Sequence, residues 1–209
     1  VSDAIAALHG RIARYYGAKL ARHGPTPRGV DWPSAGTQAL RLEQLLRLCD
    51  FASPFTLNDL GCGYGALLGL LRRTGRARGV DYLGTDVSPA MVAQARALWR
   101  GTARFEVGGA PSRVADYSVA SGIFNVRIDE PRRLWEDFVA ETLVQLAFAS
   151  RRGFAVNFLK PLPRGTDDVP ELYRPPPRRW AAFCEDELGL SVETVAGYGL
   201  REVTLFARH

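Results

Sequence analysis

Apolar positions change their spacing in a regular order along the chain, and that order predicts an α/β protein. Between residues 2 and 23, Ile5, Leu8, Ile12, Tyr15 or Tyr16, and Leu20 recur at roughly helical intervals, as one helix or a pair. Residues 24–33 (Gly-Pro-Thr-Pro-Arg-Gly-Val-Asp-Trp-Pro) are dense in breakers and predict a loop. Helical spacing returns over residues 34–50, with Leu40, Leu42, Leu45, Leu46 and Leu48 in its apolar face. Short apolar runs then alternate with helical ones. Strands are predicted from Phe55 to Leu60 and over 81–86, 103–107, 116–122 and 154–159, and helices over 67–73, 89–100 and 131–150. Residues 161–177 are proline-rich and contain Asp167, Asp168, Tyr173 and Arg174, and a loop of that length in a compact chain is often functional. A helix over 180–188 and two strands, 191–196 and 200–207, flanking Gly197-Tyr-Gly199 close the chain as a hairpin.

The stretch 55–71 organises the rest. An apolar run ends at Asp59-Leu60, meets glycines at Gly61, Gly63 and Gly65, and opens into a leucine-rich helix. Such a strand, turn and helix lets the backbone approach a ligand closely and points unpaired N–H groups at an anionic group. The second strand ends in Asp86, and Ser88-Pro89 caps the helix that follows. An acid at that strand end is the usual partner of ribose hydroxyls.

Asp59-Leu-Gly-Cys-Gly-Tyr-Gly65, followed by Gly84-Thr-Asp-Val-Ser-Pro-Ala-Met91, resembles the first two motifs of class I S-adenosylmethionine-dependent methyltransferases. The resemblance covers about residues 36–160, and the remainder by topology only. It implies a Rossmann-like doubly wound sheet, mostly parallel with a C-terminal antiparallel hairpin, plus an N-terminal helical arm. A single domain over residues 1–209 is expected, with 1–50 as arm or lid and 51–209 as core. It implies S-adenosylmethionine as cofactor, touched by Asp59, Gly61, Cys62, Gly63, Gly65, Asp86, Val87 and Met91. Arg41, on the helix before the first strand, would reach the carboxylate of the methionine part. Related enzymes often carry an Asp after the third strand to accept from the adenine amino group; here Gly109 holds that place, so Ala110 or the backbone would take over. In open α/β sheets ligands lie outside the carboxyl ends of the strands at the switch point, which sets Ser121 and Gly122 beside the methionine end. Phe124, Asn125 and Arg127, with Asp129 beyond them, then reach toward the acceptor, and Tyr15, Tyr16 and Trp32 of the arm supply a cover.

Composition narrows the setting. At 209 residues, 46% apolar and 23% charged, the chain has the make-up of a soluble globular domain. No apolar run approaches the ~20 residues of a membrane span. Val1-Ser-Asp-Ala shows no signal-peptide start, and the missing initiator Met suggests trimming or a partial chain. Cys49, Cys62 and Cys184 are scattered, so no disulfide framework or zinc site is expected, and a cytoplasmic location follows. Cys62 is expected to pack under the turn rather than act as a nucleophile. The net charge of +5 is mostly arginine, in doublets near helix ends, where solvated roles are the default. His9, His23 and His209 are poor candidates for a base; His9 and His23 could act only from a lid.

The expected function is methyl transfer to a small molecule by in-line displacement, with no metal. Three alternatives remain open on sequence. One is an inactive S-adenosylmethionine- or nucleoside-binding module. The second is a nucleic-acid methyltransferase. The third is an NAD(P)-dependent oxidoreductase, because Gly61-x-Gly63-x-x-Ala66 with Asp86 also fits the dinucleotide fingerprint. Oligomeric state is not readable.

Overall fold

A computed structural model describes residues 2–209 except 164, 165, 167, 168 and 177. The expected Asp167 and Asp168 of the proline-rich loop therefore lie outside the described residues. Helix α1 (Asp3–His23) starts where Ser2 accepts the N–H of Ile5, and a 3-10 turn (Pro27–Val30) leads to α2 (Ala35–Leu46). The core then runs β1 (Phe55–Leu60), α3 (Ala66–Arg73), β2 (Val80–Asp86), α4 (Pro89–Leu98), β3 (Arg104–Val107) and β4 (Ala115–Ala120). It ends with α5 (Arg132–Phe148), β5 (Ser150–Leu159), α6 (Arg179–Asp186), β6 (Ser191–Ala196) and β7 (Glu202–Arg208).

The strands form one seven-stranded sheet in the order β3-β2-β1-β4-β5-β7-β6. Pairings from β3 to β5 are parallel, and β7 runs antiparallel to both β5 and β6. The strand order reverses between β1 and β4, which opens a crevice at their carboxyl ends. The period-2 alternation sorts side chains onto two faces. Phe154, Val156 and Phe158 of β5 join one apolar cluster with α1, α5 and α6, while Ala155 joins a second with α2, α3 and α4.

Helix ends differ from the sequence pattern by a few residues, and β5 differs more. It begins at Ser150, not Phe154, because the Ser150 hydroxyl bonds both Leu146 O (2.6 Å) and Ser118 Oγ (2.8 Å) and turns the chain into the sheet. Arg151 and Arg152, which follow the predicted helix 131–150, sit on that strand, solvent-exposed as expected, beside Asp116 and the Tyr117 ring. The arm is not a detachable appendage: Ile5, Leu8 and Ile12 of α1 are buried in the same cluster as Leu60, Ala120 and Phe138.

Candidate cofactor and acceptor site

The glycine turn is held from both sides. The N–H groups of Gly61 and Cys62 donate to Thr85 O at the end of β2, at 2.7 and 3.1 Å. Asp86 accepts the Gly63 N–H on Oδ2 and the Ser88 N–H on Oδ1, each at 2.8 Å. One carboxylate therefore ties the turn after β1 to the start of α4, and each of its oxygens keeps a further lone pair. Burial raises the Asp86 pKa, and the two N–H groups oppose the rise. Asp59 is 3% exposed and accepts a 2.5 Å hydrogen bond from the Tyr82 hydroxyl. Burial, partly offset by Tyr82 and reinforced by Asp86, pushes its carboxyl up to about 7.

These groups line a cavity at the strand ends, with Gly61, Cys62, Gly63, Val87, Met91, Gly109, Ser121 and Gly122. The Ser121 hydroxyl has no hydrogen-bond partner among the described residues although it is buried. The arm closes the cavity from above through His9, Ile12, Tyr16, Val30 and Trp32. Its approach is tight enough to require glycine below. A Cβ at Gly122 would lie 2.6 Å from Trp32 Cη2, and one at Gly109 would lie 2.5 Å from His9 Nδ1. Cys62 is buried, and burial with Asp86 and Asp59 nearby raises its thiol pKa well above the ordinary range, so it stays a protonated packing group.

A second cavity shares Tyr16, Val30, Trp32 and Gly122 with the first, and adds Tyr15, Asp31, Arg41, Asn125, Val126 and Leu159. Asn125 is 5% exposed, and neither its amide nitrogen nor its amide oxygen has a partner among the described residues. A buried orphan amide costs about 1–3 kcal/mol unless something fills its hydrogen bonds. Two of the charged groups around it, Asp31 and Arg41, are paired, while Glu171 also lines the cavity. Asp31 takes the Tyr15 hydroxyl at 2.7 Å and Lys19 at 2.6 Å, while Arg41 pairs with Glu202 at 2.7 Å. Burial and Asp31 raise the phenol pKa of both Tyr15 and Tyr16.

Trp32, the wall between the cavities, is held by a closed circuit. The Arg41 guanidinium stacks 4.0 Å from the Trp32 ring centroid, and its Nε and Nη2 donate to Glu202 Oε1. Asn157 donates to Glu202 Oε2 at 2.8 Å and accepts the Gly122 N–H, also at 2.8 Å. Gly122 is the residue on which Trp32 rests.

Several expected site residues lie elsewhere. Arg41 does not line the glycine-turn cavity; its charge is consumed by buried Glu202. Gly65 caps α3 at φ +84°, and a Cβ there would lie 2.7 Å from Trp99 Cδ1, so it serves packing. Ala110 lines neither cavity. Phe124 is fully buried, stacked on Phe158, because the chain after Gly122 turns it into the core. Arg127 ties its own loop to the proline-rich segment, donating to Glu130 O and to Pro170 O. Asp129 is exposed at φ +57° and lines neither cavity. Sequence reasoning missed Asn157 and Glu202, which sit mid-strand or at a strand start with no local signal. It also set His9 and Ile12 on the arm without seeing where that face lands.

No group of His, Cys, Asp and Glu that could hold a metal occurs among the described residues. No helix among them is long and apolar enough to cross a membrane.

Comparison with known proteins gives a consistent picture. No family model matches the chain. Rv1506c of Mycobacterium tuberculosis, which its name calls provisionally a methyltransferase, is 41% identical over 165 residues, covering 78% of this chain and 98% of that protein. Among solved structures, the magnesium protoporphyrin IX methyltransferase of Synechocystis, determined with bound S-adenosylhomocysteine, superposes with a TM-score of 0.59 at 16% identity over 83% of each chain. A SAM-dependent methyltransferase from Aquifex aeolicus gives 0.57 at 20% identity, covering 91% of this chain and 97% of that one. The DhpI–SAM–HEP complex gives 0.62 at 16% identity, covering 94% and 95%. These likenesses show a shared fold. With the close relative, the glycine turn and the sheet order, they establish that the chain belongs to the class I S-adenosylmethionine-dependent methyltransferases.

Proposed function

We propose that the protein transfers the methyl group of S-adenosylmethionine to a small, uncharged or cationic acceptor. The observation that carries this reading is the pair of cavities meeting at Gly122, one lined by the glycine turn and Asp86, the other by an orphan amide. The first cavity fits the cofactor's chemistry. Asp86 has lone pairs left for two ribose hydroxyls, the unpartnered Ser121 hydroxyl suits the polar methionine end, and Asp59 is an acid beside which a cation is stabilised. When bound, the cofactor supplies an already activated sulfonium methyl.

The chain's own residues then chiefly position and exclude water. Trp32 and Tyr16, shared by both cavities, cover the meeting point and would limit which acceptors reach it. Asn125 would orient the acceptor by offering one donor and one acceptor side by side. Arg41 is paired with Glu202 and Asp31 with Lys19, while the Glu171 carboxylate also lines the second cavity, so among the described residues no free cation lines it to attract an anionic acceptor. A small acceptor, not a nucleic acid, is also favoured by the surface arginines, several of which are spent on carboxylates: Arg132 and Arg179 on Glu136, Arg178 on Glu185, Arg113 on Asp81.

Calorimetry with S-adenosylhomocysteine and with NAD tests the cofactor assignment, and binding of NAD alone would overturn it. Methyl transfer from labelled cofactor to small-molecule extract, lost in Asn125→Leu with cofactor affinity unchanged, tests the acceptor assignment. Transfer to RNA in place of small molecules would overturn that part.

A further inference from the structure

The nucleobase end of the first cavity is built in an unexpected way. Asp86 sits at the end of β2, and Gly108 donates its N–H to Asp86 O at 3.0 Å, so the segment after β3 lies directly beside the proposed ribose clamp. A base attached to that ribose would lie beside Gly108 and Gly109. No side chain rises from the strand there. The space above Gly109 belongs to His9 of α1, whose Nδ1 and Nε2 would be 2.5 and 3.1 Å from a Cβ at that position. The ring meets Phe138 edge to face, with centroids 5.6 Å apart at 83°. Among the polar groups lining this end, Thr142 spends its hydroxyl on Phe138 O at 2.8 Å. The His9 ring nitrogens form no hydrogen bond among the described residues. Burial lowers the His9 pKa, with Glu141 opposing, so the ring is held in the form that keeps one bare nitrogen.

Resting on the cofactor assignment above, we propose that His9 reads the nucleobase: its bare ring nitrogen accepts a hydrogen bond from the 6-amino group of adenine. Gly109 is then glycine because the recognising side chain arrives from the arm and not from the strand. The same face of α1 carries His9, Ile12 and Tyr16, spaced three and four residues apart, and Tyr16 walls the acceptor cavity. Recognition of the base therefore seats the helix that covers the acceptor.

The test is calorimetry of S-adenosylhomocysteine against its inosine analogue, in which a 6-oxo group replaces the amino group, on the full chain. The wild type should prefer the adenine compound by about tenfold, the range of one buried hydrogen bond. His9→Leu should bind both within about twofold, and His9→Asn should recover part of the preference. Gly109→Ala, which displaces the His9 ring while leaving the sequence of α1 unchanged, should abolish the preference in the same way and serves if His9→Leu fails to fold. Discrimination retained in folded His9→Leu or Gly109→Ala, or absent from the wild type, would overturn the proposal. If folded wild type binds neither analogue, the cofactor assignment falls with it.

Discussion

Asp59 allows the site's demand on stability to be measured. Its carboxyl is displaced from an ordinary 3.8 to about 7, chiefly by burial. At about 1.4 kcal/mol per pH unit, ionising it in the folded protein costs ~4 kcal/mol relative to the unfolded chain. The direction follows from proton counts. Below about pH 4 both states carry the proton and there is no differential. Between about 4 and about 7 the folded state holds a proton that the unfolded state has lost, so stability falls as pH rises. Above about 7 the whole cost is present. Asp59→Asn keeps the shape and an oxygen to accept the Tyr82 hydroxyl, but cannot ionise. The variant should therefore gain on the wild type by about 3 kcal/mol between pH 5 and pH 8, read by urea unfolding of both proteins at each pH. Other titrating groups cancel in the comparison. A stability difference that stays constant from pH 5 to 8 would refute the reasoning. The gain in stability should come with weaker cofactor binding if Asp59 faces the cofactor's cation as proposed, as expected where an active site stores strain.

Three further outcomes follow from the same geometry. Asp86→Asn should weaken S-adenosylhomocysteine binding at least about tenfold in calorimetry, since charge-assisted bonds are worth roughly 1.5–3 kcal/mol each; because Asp86 also holds Gly63 and Ser88, a lower melting temperature should accompany the loss. Arg41→Met strands the buried Glu202 charge and should destabilise by ~3–5 kcal/mol in urea unfolding, while the double change with Glu202→Gln should recover much of it. Removal of residues 1–33 should lower stability and cofactor affinity together, seen by thermal melting and calorimetry, because α1 supplies Ile5 and Leu8 to the core and His9 to the cavity; cofactor binding left intact would show the arm to be a lid alone.

The sequence by itself determined the sheet and the turn. Alternating apolar periods are local signals, and Gly61 to Gly65 with Asp59 and Asp86 mark a strand–turn–helix whose chemistry is carried by residues close along the chain. Local signals also fail locally: β5 starts early because Ser150 finds Ser118 across the sheet, a partner that no window around it contains. The cover and the second cavity were decided only by tertiary structure. Arg41, Asn157 and Glu202 are polar residues in elements of unrelated pattern, and their pairing, 161 residues apart for Arg41 and Glu202, exists only once β7 has inserted beside β5. Phe124 and Asn125 are neighbours in sequence, yet one is core and the other an orphan amide, because the chain turns sharply after Gly122. His9 shows the limit most clearly. On a helix it is one more half-buried side chain; opposite a glycine from another strand it becomes a ring held over a vacant backbone, and only the packing of α1 across the strand ends brings the two together.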